Sequence, residues 1–453
     1  MRPGILHLPP VPPNPSSIAA PLNSWSKTSR RIALLVAAVI TGAYAYAAGL
    51  WGRSFLIMPD VGWYMRMASG DIYRVMQPFA SRQLGPAVVR FLSWVLHWPV
   101  ERAFLLEGTI SMILLVAVVY LLMVRTTAPR WMLAAVVVVP FWPQLYFGLG
   151  LPDLWYAAMI AIFLMLLAQR HFLAAACMML PLMLSRESTS LVLVCFLIAG
   201  WRPLRWPGRL LALGSAMAGT VFIQHLTAHN PGNREHLPQS VYMLSKIPWN
   251  FMRNVLGVTP WSNVYPQLCR APVWQHSLEL GPVHAIGVCG VSGKQSTMAV
   301  FELTTVFGLL PLLTIFLWWR SRRQRGRSLL LNFCLLYGGI SVLLSPLLGA
   351  GVGRLLGYSW PFCLVALPLL FDDIRQRYAV ALDSKGVVAG LGFLCLHGLV
   401  CALSVATATL LPAGVGVGLW VAGYLLLRWW FGAAAEDAEK RLPGNPVDAA
   451  AGA

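Results

Sequence analysis

The chain has 453 residues, of which 58% are hydrophobic and only 11% are charged. An ordinary soluble domain has about 25% charged residues, so this composition excludes a soluble enzyme. The 34 Lys and Arg against 16 Asp and Glu give a formal net charge of +18. In a polytopic membrane protein, excess Lys and Arg mark cytoplasmic loops. We therefore interpret the charge as a signal of orientation and not of nucleic-acid binding.

Apolar runs long enough to cross a bilayer recur along the chain, and they predict an all-α polytopic membrane protein with about 11–12 transmembrane segments. Together they would form one transmembrane domain, 30–431. The flanking segments 1–29 and 432–453 are expected to be disordered tails on the cytoplasmic side. The predicted segments are 32–51, 103–124, 131–147, 154–169, 172–200, 209–227, 300–319, 328–348, 357–371, 386–411 and 414–431.

The apolar run 172–200 is too long for a simple span. As one helix it would measure ~44 Å against ~30 Å of hydrocarbon. It is interrupted at Ser185-Arg186-Glu187-Ser188, and Arg170 and Arg202 flank its two ends. Basic residues at both ends favour two half-length helices that return to the cytoplasmic side, and one long tilted span is the alternative.

Two segments on the outer side are too long to be simple turns. The first, 53–102, includes an amphipathic stretch from Pro86 to Trp98 that is predicted to lie along the membrane surface. The second, 229–298, holds seven prolines and little helical periodicity, which predicts a long exterior loop. It contains Cys269 and Cys289, and an oxidising exterior favours a disulfide between them.

Ionisable side chains at membrane depth are costly and are therefore functional candidates. Asp60 lies just beyond the first predicted segment, and Asp153 lies between two later segments. A carboxylate at Asp60 can take a proton from a hydroxyl nucleophile or bind a divalent cation. For both acids the alternative is a helix N-cap. Two acids on one face favour a shared polar site.

Arginines supply the opposite charge. Arg186 and Glu187 interrupt a long apolar run, either as a polar tip that lines an outward-facing cavity or as an ion pair that holds a helix break. Arg354 is the only charged residue between Arg327 and Asp372. A guanidinium suits the oxygens of a phosphate, and the alternative is an arginine that reaches the lipid headgroups.

These motifs resemble those of bacterial polytopic glycosyltransferases of the GT-C superfamily and their uncharacterised relatives. Two of the motifs lie in the predicted first exterior loop. They are Asp60-x-x-x-Tyr64-x-Arg66-Met-Ala-x-Gly70 and, after it, Pro78-Phe-Ala-x-Arg82-x-Leu-x-Pro86. Three later motifs follow in a similar order. They are Gly150-Leu-Pro-Asp153, Ser185-Arg-Glu187-Ser-Thr189 and Gly353-Arg354-Leu-Leu-Gly-Tyr358-x-Trp-Pro361.

The resemblance implies a GT-C-like fold and an enzyme of the bacterial inner membrane. Such an enzyme moves a sugar from a polyprenyl-phosphate donor to a hydroxyl of a glycan or lipid acceptor at the outer face, with inversion. Asp60 would be its general base or acceptor binder. Paired metal-binding acids, present in oligosaccharyltransferases, are absent beside Asp60, so a divalent cation is left open. The implied substrate-binding residues are Tyr64, Arg82, Asp153, Arg186, Glu187 and Arg354.

Two other classes of function remain open at the level of the sequence. A transporter or lipid flippase also has about twelve spans, and it would need polar residues through to the cytoplasmic side. A membrane-bound acyltransferase would need a buried catalytic histidine. His397 is the deepest candidate, and a structural histidine with satisfied hydrogen bonds is the alternative.

Overall fold

A computed structural model describes most of the chain. The described residues are 26–50, 60–126, 128–232, 239–264, 271–280, 283–292, 302–321, 328–349, 352–378, 384–407 and 413–440.

The described residues are mostly α-helical, as the hydropathy pattern predicts. The first half contains α1 Lys27–Leu50, α2 Val61–Ala68, α3 Leu84–Leu96, α4 Val100–Val124, α5 Arg130–Val137, α6 Phe141–Phe147, α7 Pro152–Ala168, α8 Phe172–Cys177, α9 Met179–Ser185, α10 Thr189–Ala199 and α11 Trp206–Leu226. The second half contains α12 Gln239–Asn254, α13 Leu310–Ser321, α14 Leu329–Leu348, α15 Val352–Leu356, α16 Leu367–Tyr378, α17 Ser384–Thr407 and α18 Ala413–Lys440.

Within the described residues, five helical stretches are long and apolar enough to cross a membrane. The prediction of an all-α polytopic membrane protein is confirmed, and the exact number of spans stays a prediction. The apolar helices α7 and α10 and the α8–α9 pair are shorter than this length. The five are Val100–Val124, Trp206–Thr227, Leu329–Leu348, Val352–Ile374 and Val387–Ser404.

The run 172–200 forms a hairpin of half-length helices, as its flanking arginines predict. Helix α9 ends at Ser185 and Arg186 adopts an extended conformation. Phe163, ten positions after Asp153 in α7, packs edge-on against Phe196 at 5.3 Å between ring centroids. Because Arg186 contacts Asp153 at the other end of α7, α10 runs back along α7 instead of continuing the direction of α9.

The second exterior segment is more regular than its prolines suggest. It contains α12, with Pro248 inside the helix, and a three-stranded antiparallel sheet in the order β1-β3-β2. The strands are β1 Val258–Ser262, β2 Trp274–Leu280 and β3 Val283–Val291. Asn254 of α12 donates to the carbonyls of Pro346 and Gly349, at 2.8 and 3.0 Å. These bonds attach the exterior segment to the end of α14.

The predicted surface helix is present as α3, with Phe91 and Trp94 exposed on one side and Val89 buried on the other. At the carboxyl end of the chain, α18 continues to Lys440. It therefore extends into the segment predicted to be a disordered tail. Its last turns have the sequence Ala-Ala-Ala-Glu-Asp-Ala-Glu-Lys, in which alanine, glutamate and lysine favour helix.

Two hydrophobic cores lie side by side. The larger runs through the helical bundle and includes Trp142 and Trp360, both almost fully buried. The smaller joins the first predicted loop to the bundle, since it contains Val61 and Tyr64 of the loop together with Phe104 of α4 and Leu151 of the turn before α7. Because the loop and the bundle share this core, the residues around Asp60 have fixed positions relative to the bundle.

Candidate active site

Arg354 lies between the two acids that the sequence predicts to share a polar site. Its Nη1 is 3.6 Å from Oδ2 of Asp60, and its Nε is 3.6 Å from Oδ2 of Asp153. The two carboxylates come from separate elements, because Asp60 precedes α2 and Asp153 lies in the first turn of α7. Both distances exceed that of a good hydrogen bond, so the donors of Arg354 are oriented by charge and remain available to a ligand.

Asp153 has a second cationic partner deeper in the protein. Nη1 of Arg186 donates to its Oδ1 at 2.5 Å, and both side chains are almost fully buried. The Tyr358 hydroxyl donates to the same Oδ1 and also accepts from Arg186. The Arg186 guanidinium lies 4.5 Å from the centroid of the Tyr358 ring, a cation–π geometry. These three side chains form a closed triangle.

A second ion pair links the first exterior loop to the hairpin turn. Arg82 forms a bidentate contact with Glu187, with Nε to Oε2 at 3.0 Å and Nη2 to Oε1 at 2.5 Å. Its remaining nitrogen, Nη1, donates to the Tyr64 hydroxyl at 2.7 Å. A bidentate arginine–carboxylate pair fixes both position and orientation. Arg82 therefore fastens the loop that carries Asp60 to the turn that carries Arg186.

The charges of this second pair stabilise each other. Burial by itself disfavours the charged form of the Arg82 guanidinium, but Glu187 and Tyr64 hold its pKa well above the ordinary value. Arg82 is therefore charged at neutral pH.

Accessibility separates the network into two parts. The side chains of Arg354 and Asp60 are 35% and 38% exposed, whereas those of Asp153 and Arg186 are 6% and 5% exposed. A substrate can thus reach the Asp60–Arg354 pair directly. The Asp153–Arg186 pair is buried next to it, and Oδ2 of Asp153 faces Nε of Arg354 at 3.6 Å.

Gly150 explains how the two acids come close. It has a positive φ of +84°, and a Cβ at this position would lie 2.7 Å from Cγ1 of Val61. Val61 is the residue after Asp60, and Gly150 is three residues before Asp153. Only glycine allows this backbone conformation and approach without strain. The glycine of the Gly-Leu-Pro-Asp motif therefore permits both the turn and the close packing against Val61.

The capping interpretation of both acids is wrong. Asp60 stands at the N-cap position of α2, but its side chain makes no capping hydrogen bond. In α7 the N-cap position belongs to Leu151. Arg186 and Glu187 do not pair with each other either, because each forms an ion pair with a residue of another element. The fold supplies the partners that local sequence could not reveal.

All seven predicted site residues therefore lie in one region, and two further residues join them. Tyr358 is part of the Gly-Arg-Leu-Leu-Gly-Tyr motif, but its position on Asp153 could not be inferred from the motif. Glu302 lies against Gly353, where a Cβ would be 3.5 Å from Glu302 Oε2. Glu302 is not part of a motif, and in the sequence it stands out only as an acidic residue at the edge of an apolar run.

The sequence leaves a divalent cation open and predicts a disulfide between Cys269 and Cys289. In the described ranges, no three His, Cys, Asp or Glu side chains meet in a way that could hold a metal ion. Asp60 and Asp153 instead face the guanidinium of Arg354. Cys289 is disulfide-bonded, and its predicted partner, Cys269, lies outside the described residues.

Comparisons with known proteins give little further information. No protein-family model matches the chain, and no curated protein matches it. Among solved structures, the chain is similar to the crystal structure of ArnT from Cupriavidus metallidurans in the apo state. The two are 17% identical over 88% of this chain and 74% of that chain, with a TM-score of 0.41. At this level of similarity, neither the site nor its chemistry is inferred from the neighbour.

Proposed function

We propose that the protein is a membrane glycosyltransferase that moves a sugar from a polyprenyl-phosphate donor to a hydroxyl group of a glycan or lipid acceptor. The observation that carries this proposal is the accessible pair of Asp60 and Arg354. One member can accept a proton and the other can bind a phosphate.

The proposed reaction is a single displacement with inversion at the anomeric carbon. Asp60 takes the proton of the acceptor hydroxyl, and the hydroxyl oxygen forms a bond to the anomeric carbon. The bond from that carbon to the phosphate oxygen breaks, and its electron pair stays on the leaving polyprenyl phosphate. Arg354 stabilises the negative charge that develops there.

Binding of the donor would also prepare the base. In the free protein Arg354 is 3.6 Å from Asp60. A phosphate that takes the guanidinium donors would weaken this ion pair and leave the Asp60 carboxylate free to accept a proton. Donor binding and base activation would then be coupled through Arg354.

The position of buried charge favours a transferase over a transporter. Among the described residues, the buried charged side chains are Arg82, Glu107, Asp153 and Arg186. Three of them belong to the network, and Glu107 lies in the second turn of α4, bonded to Ser111. A transporter would need polar groups along its whole path, and the described bundle has its buried charges towards one end.

The orientation of the chain is part of the proposal. The Lys and Arg clusters favour cytoplasmic termini, which would put the Asp60–Arg354 pair at the outer face of a bacterial inner membrane. Tyr64, Arg82 and Glu187 would support the site by fixing the first loop. Their own contacts to substrate stay a prediction.

Transfer of labelled sugar from polyprenyl-phosphate donors to a glycan and lipid extract, by protein reconstituted in vesicles, tests this function. We expect Asp60→Asn to lower the rate at least about a hundredfold, because a general base contributes that much or more. Arg354→Ala should weaken donor binding as well as transfer. Full activity of Asp60→Asn would exclude the base role, and lipid flipping without a covalent product would favour a flippase.

The first loop offers a matched control pair. Asp71 and Arg74 are also an ion pair, with 3.9 Å between Oδ1 and Nε, and both are exposed. Asp71→Asn and Arg74→Ala make the same chemical changes on the same loop but outside the network. We expect both variants to keep the wild-type rate. An equal loss in these controls would mean that surface charge, and not the site, controls transfer.

A further inference from the structure

Asp153 uses its two carboxylate oxygens in different ways. Oδ1 accepts hydrogen bonds from both Arg186 and Tyr358. Oδ2 is buried and has no hydrogen-bond partner among the described residues. It faces Arg354, whose Nε is 3.6 Å away. A buried carboxylate oxygen without a donor is costly, so this arrangement needs an explanation.

The contacts around Tyr358 keep its hydroxyl on one of the two carboxylate oxygens of Asp153. The Tyr358 ring is fixed by the guanidinium stacked on it at 4.5 Å and by the Tyr156 ring, edge-on at 5.6 Å. Its hydroxyl therefore stays on Oδ1. Tyr358 follows Arg354 by four positions, so one short segment contacts Oδ1 through its tyrosine and faces Oδ2 through its arginine.

We propose that Oδ2 of Asp153 accepts a hydrogen bond from the sugar hydroxyl next to the anomeric carbon, and that Tyr358 is the positioning residue that keeps this oxygen free. The inference rests on the proposed function, in which Arg354 holds the donor phosphate. The phosphate is attached to the anomeric carbon, so the hydroxyl on the next carbon is the sugar O–H closest to the phosphate, and Oδ2 of Asp153 is 3.6 Å from Nε of the arginine that would hold that phosphate. In glycosyl transfer, hydrogen bonds to this hydroxyl strengthen in the transition state.

This role would make the site selective for the sugar and not only for the lipid phosphate. A site that hydrogen-bonds a hydroxyl discriminates strongly against an analogue without it, because the buried acceptor is then left unpaired. Polyprenyl phosphate without sugar would make only the Arg354 contact. The hydrogen bond to Oδ2 of Asp153 would therefore form with the sugar-linked donor and not with free polyprenyl phosphate.

Binding of three kinds of probe to the purified full-length protein in micelles tests the inference. The probes are polyprenyl phosphate, a panel of polyprenyl-phosphate-linked hexoses and pentoses, and the 2-deoxy form of each. For its best donor, we expect the wild-type protein to bind the 2-deoxy form about tenfold more weakly. In Tyr358→Phe and Asp153→Asn this difference should fall to about twofold, and plain polyprenyl phosphate, measured on the same variants, reports any separate change at Arg354.

Tyr337→Phe is the matched control, since Tyr337 is a buried tyrosine of α14 that stacks on Phe333. It should keep the tenfold difference. If Asp153→Asn does not fold because Arg186 loses its partner, Tyr358→Phe decides the question alone.

Two results would overturn the inference. They are an equal 2-deoxy effect in the wild type and Tyr358→Phe, or no such effect in the wild type for a donor that it binds. A wild-type protein that binds none of the polyprenyl-phosphate probes would instead overturn the proposed function itself.

Discussion

At the level of single residues, the Arg82–Glu187 pair holds the first predicted loop on the hairpin turn. The Arg82 side chain is buried, and its two bonds to the Glu187 carboxylate, at 3.0 and 2.5 Å, fix both position and orientation.

Glu187→Gln should therefore be less stable than the wild type at pH 7, because it leaves the buried Arg82 without a charged partner, which is costly. Thermal unfolding in detergent measures this. A variant with the melting temperature of the wild type would show that the ion pair does not hold the loop. Glu101→Gln changes an exposed acid of α4 and serves as the control.

His397 has a structural role at the same scale. Its Nδ1 accepts from the Leu309 backbone N–H at 3.1 Å, so its Nε2 carries the proton and donates to the Ala135 carbonyl at 2.9 Å. One neutral imidazole thereby connects α17 to α5 and to the start of α13. Both ring nitrogens are occupied, which disfavours the acyltransferase alternative.

We expect His397→Ala to be destabilised by about 2–4 kcal/mol, because two buried backbone groups lose their partners. Sugar transfer per folded molecule should not change. Thermal unfolding and the transfer assay on the same preparation separate the two effects. A stable variant without activity would return His397 to the list of catalytic candidates.

At the level of elements, the segment that carries Arg354 and Tyr358 depends on a close contact with α14. After a 3-10 turn, Gly357–Ser359, the chain continues as a π-helix from Pro361 to Ala366. A Cβ on Gly338 of α14 would lie 2.3 Å from the Cβ of Phe362 in this π-helix. The two backbones approach each other only because residue 338 has no side chain.

Gly338→Ala should therefore lower both stability and transfer, because α14 and the π-helix must separate and Tyr358 moves with them. Gly339→Ala is the control, since nothing lies within 4 Å of a Cβ there. The alanine at 339 should be neutral or slightly stabilising, given the higher helix propensity of alanine. Melting temperatures and transfer rates of the two variants test this, and equal behaviour would argue against the close contact.

At the level of the whole molecule, the candidate site lies where the first predicted loop meets the bundle. A small core joins this loop to α4 and to the turn before α7, and Gly150 and Val61 make a close contact there. The accessible Asp60 lies on the loop side of this contact and the buried Asp153 lies in α7. The way the loop packs on the bundle thus sets the geometry around Arg354.

Gly150→Ala should lower the transfer rate by about tenfold to a hundredfold, since displacements of about 1 Å at an active site have effects of that size. The alanine would be strained at a φ of +84° and would clash with Val61. Gly62→Ala, next to Val61 in α2 and with nothing within 4 Å of its Cβ, should keep the wild-type rate. A fully active Gly150→Ala would mean that the Asp60–Asp153 spacing is not critical.

Much of the architecture could be predicted because hydropathy is a local property. The apolar runs, the amphipathic helix at Pro86–Trp98 and the reversal at Arg186 all follow from composition over a few turns. The strands between 258 and 291 could not, since their pairing joins residues that are distant in sequence. The candidate site residues were found by a similar local argument, as rare charges in apolar surroundings.

The sequence by itself determined that this is a helical membrane protein with its rare acids and arginines at particular segment ends. Only the tertiary structure decided which charges pair, since Arg186 binds Asp153 and not its neighbour Glu187. The reason is geometric. Each buried ion pair joins elements that are far apart in the chain, and close contacts at Gly150 and Gly338 set how those elements meet. No local pattern encodes the identity of a partner across such a contact.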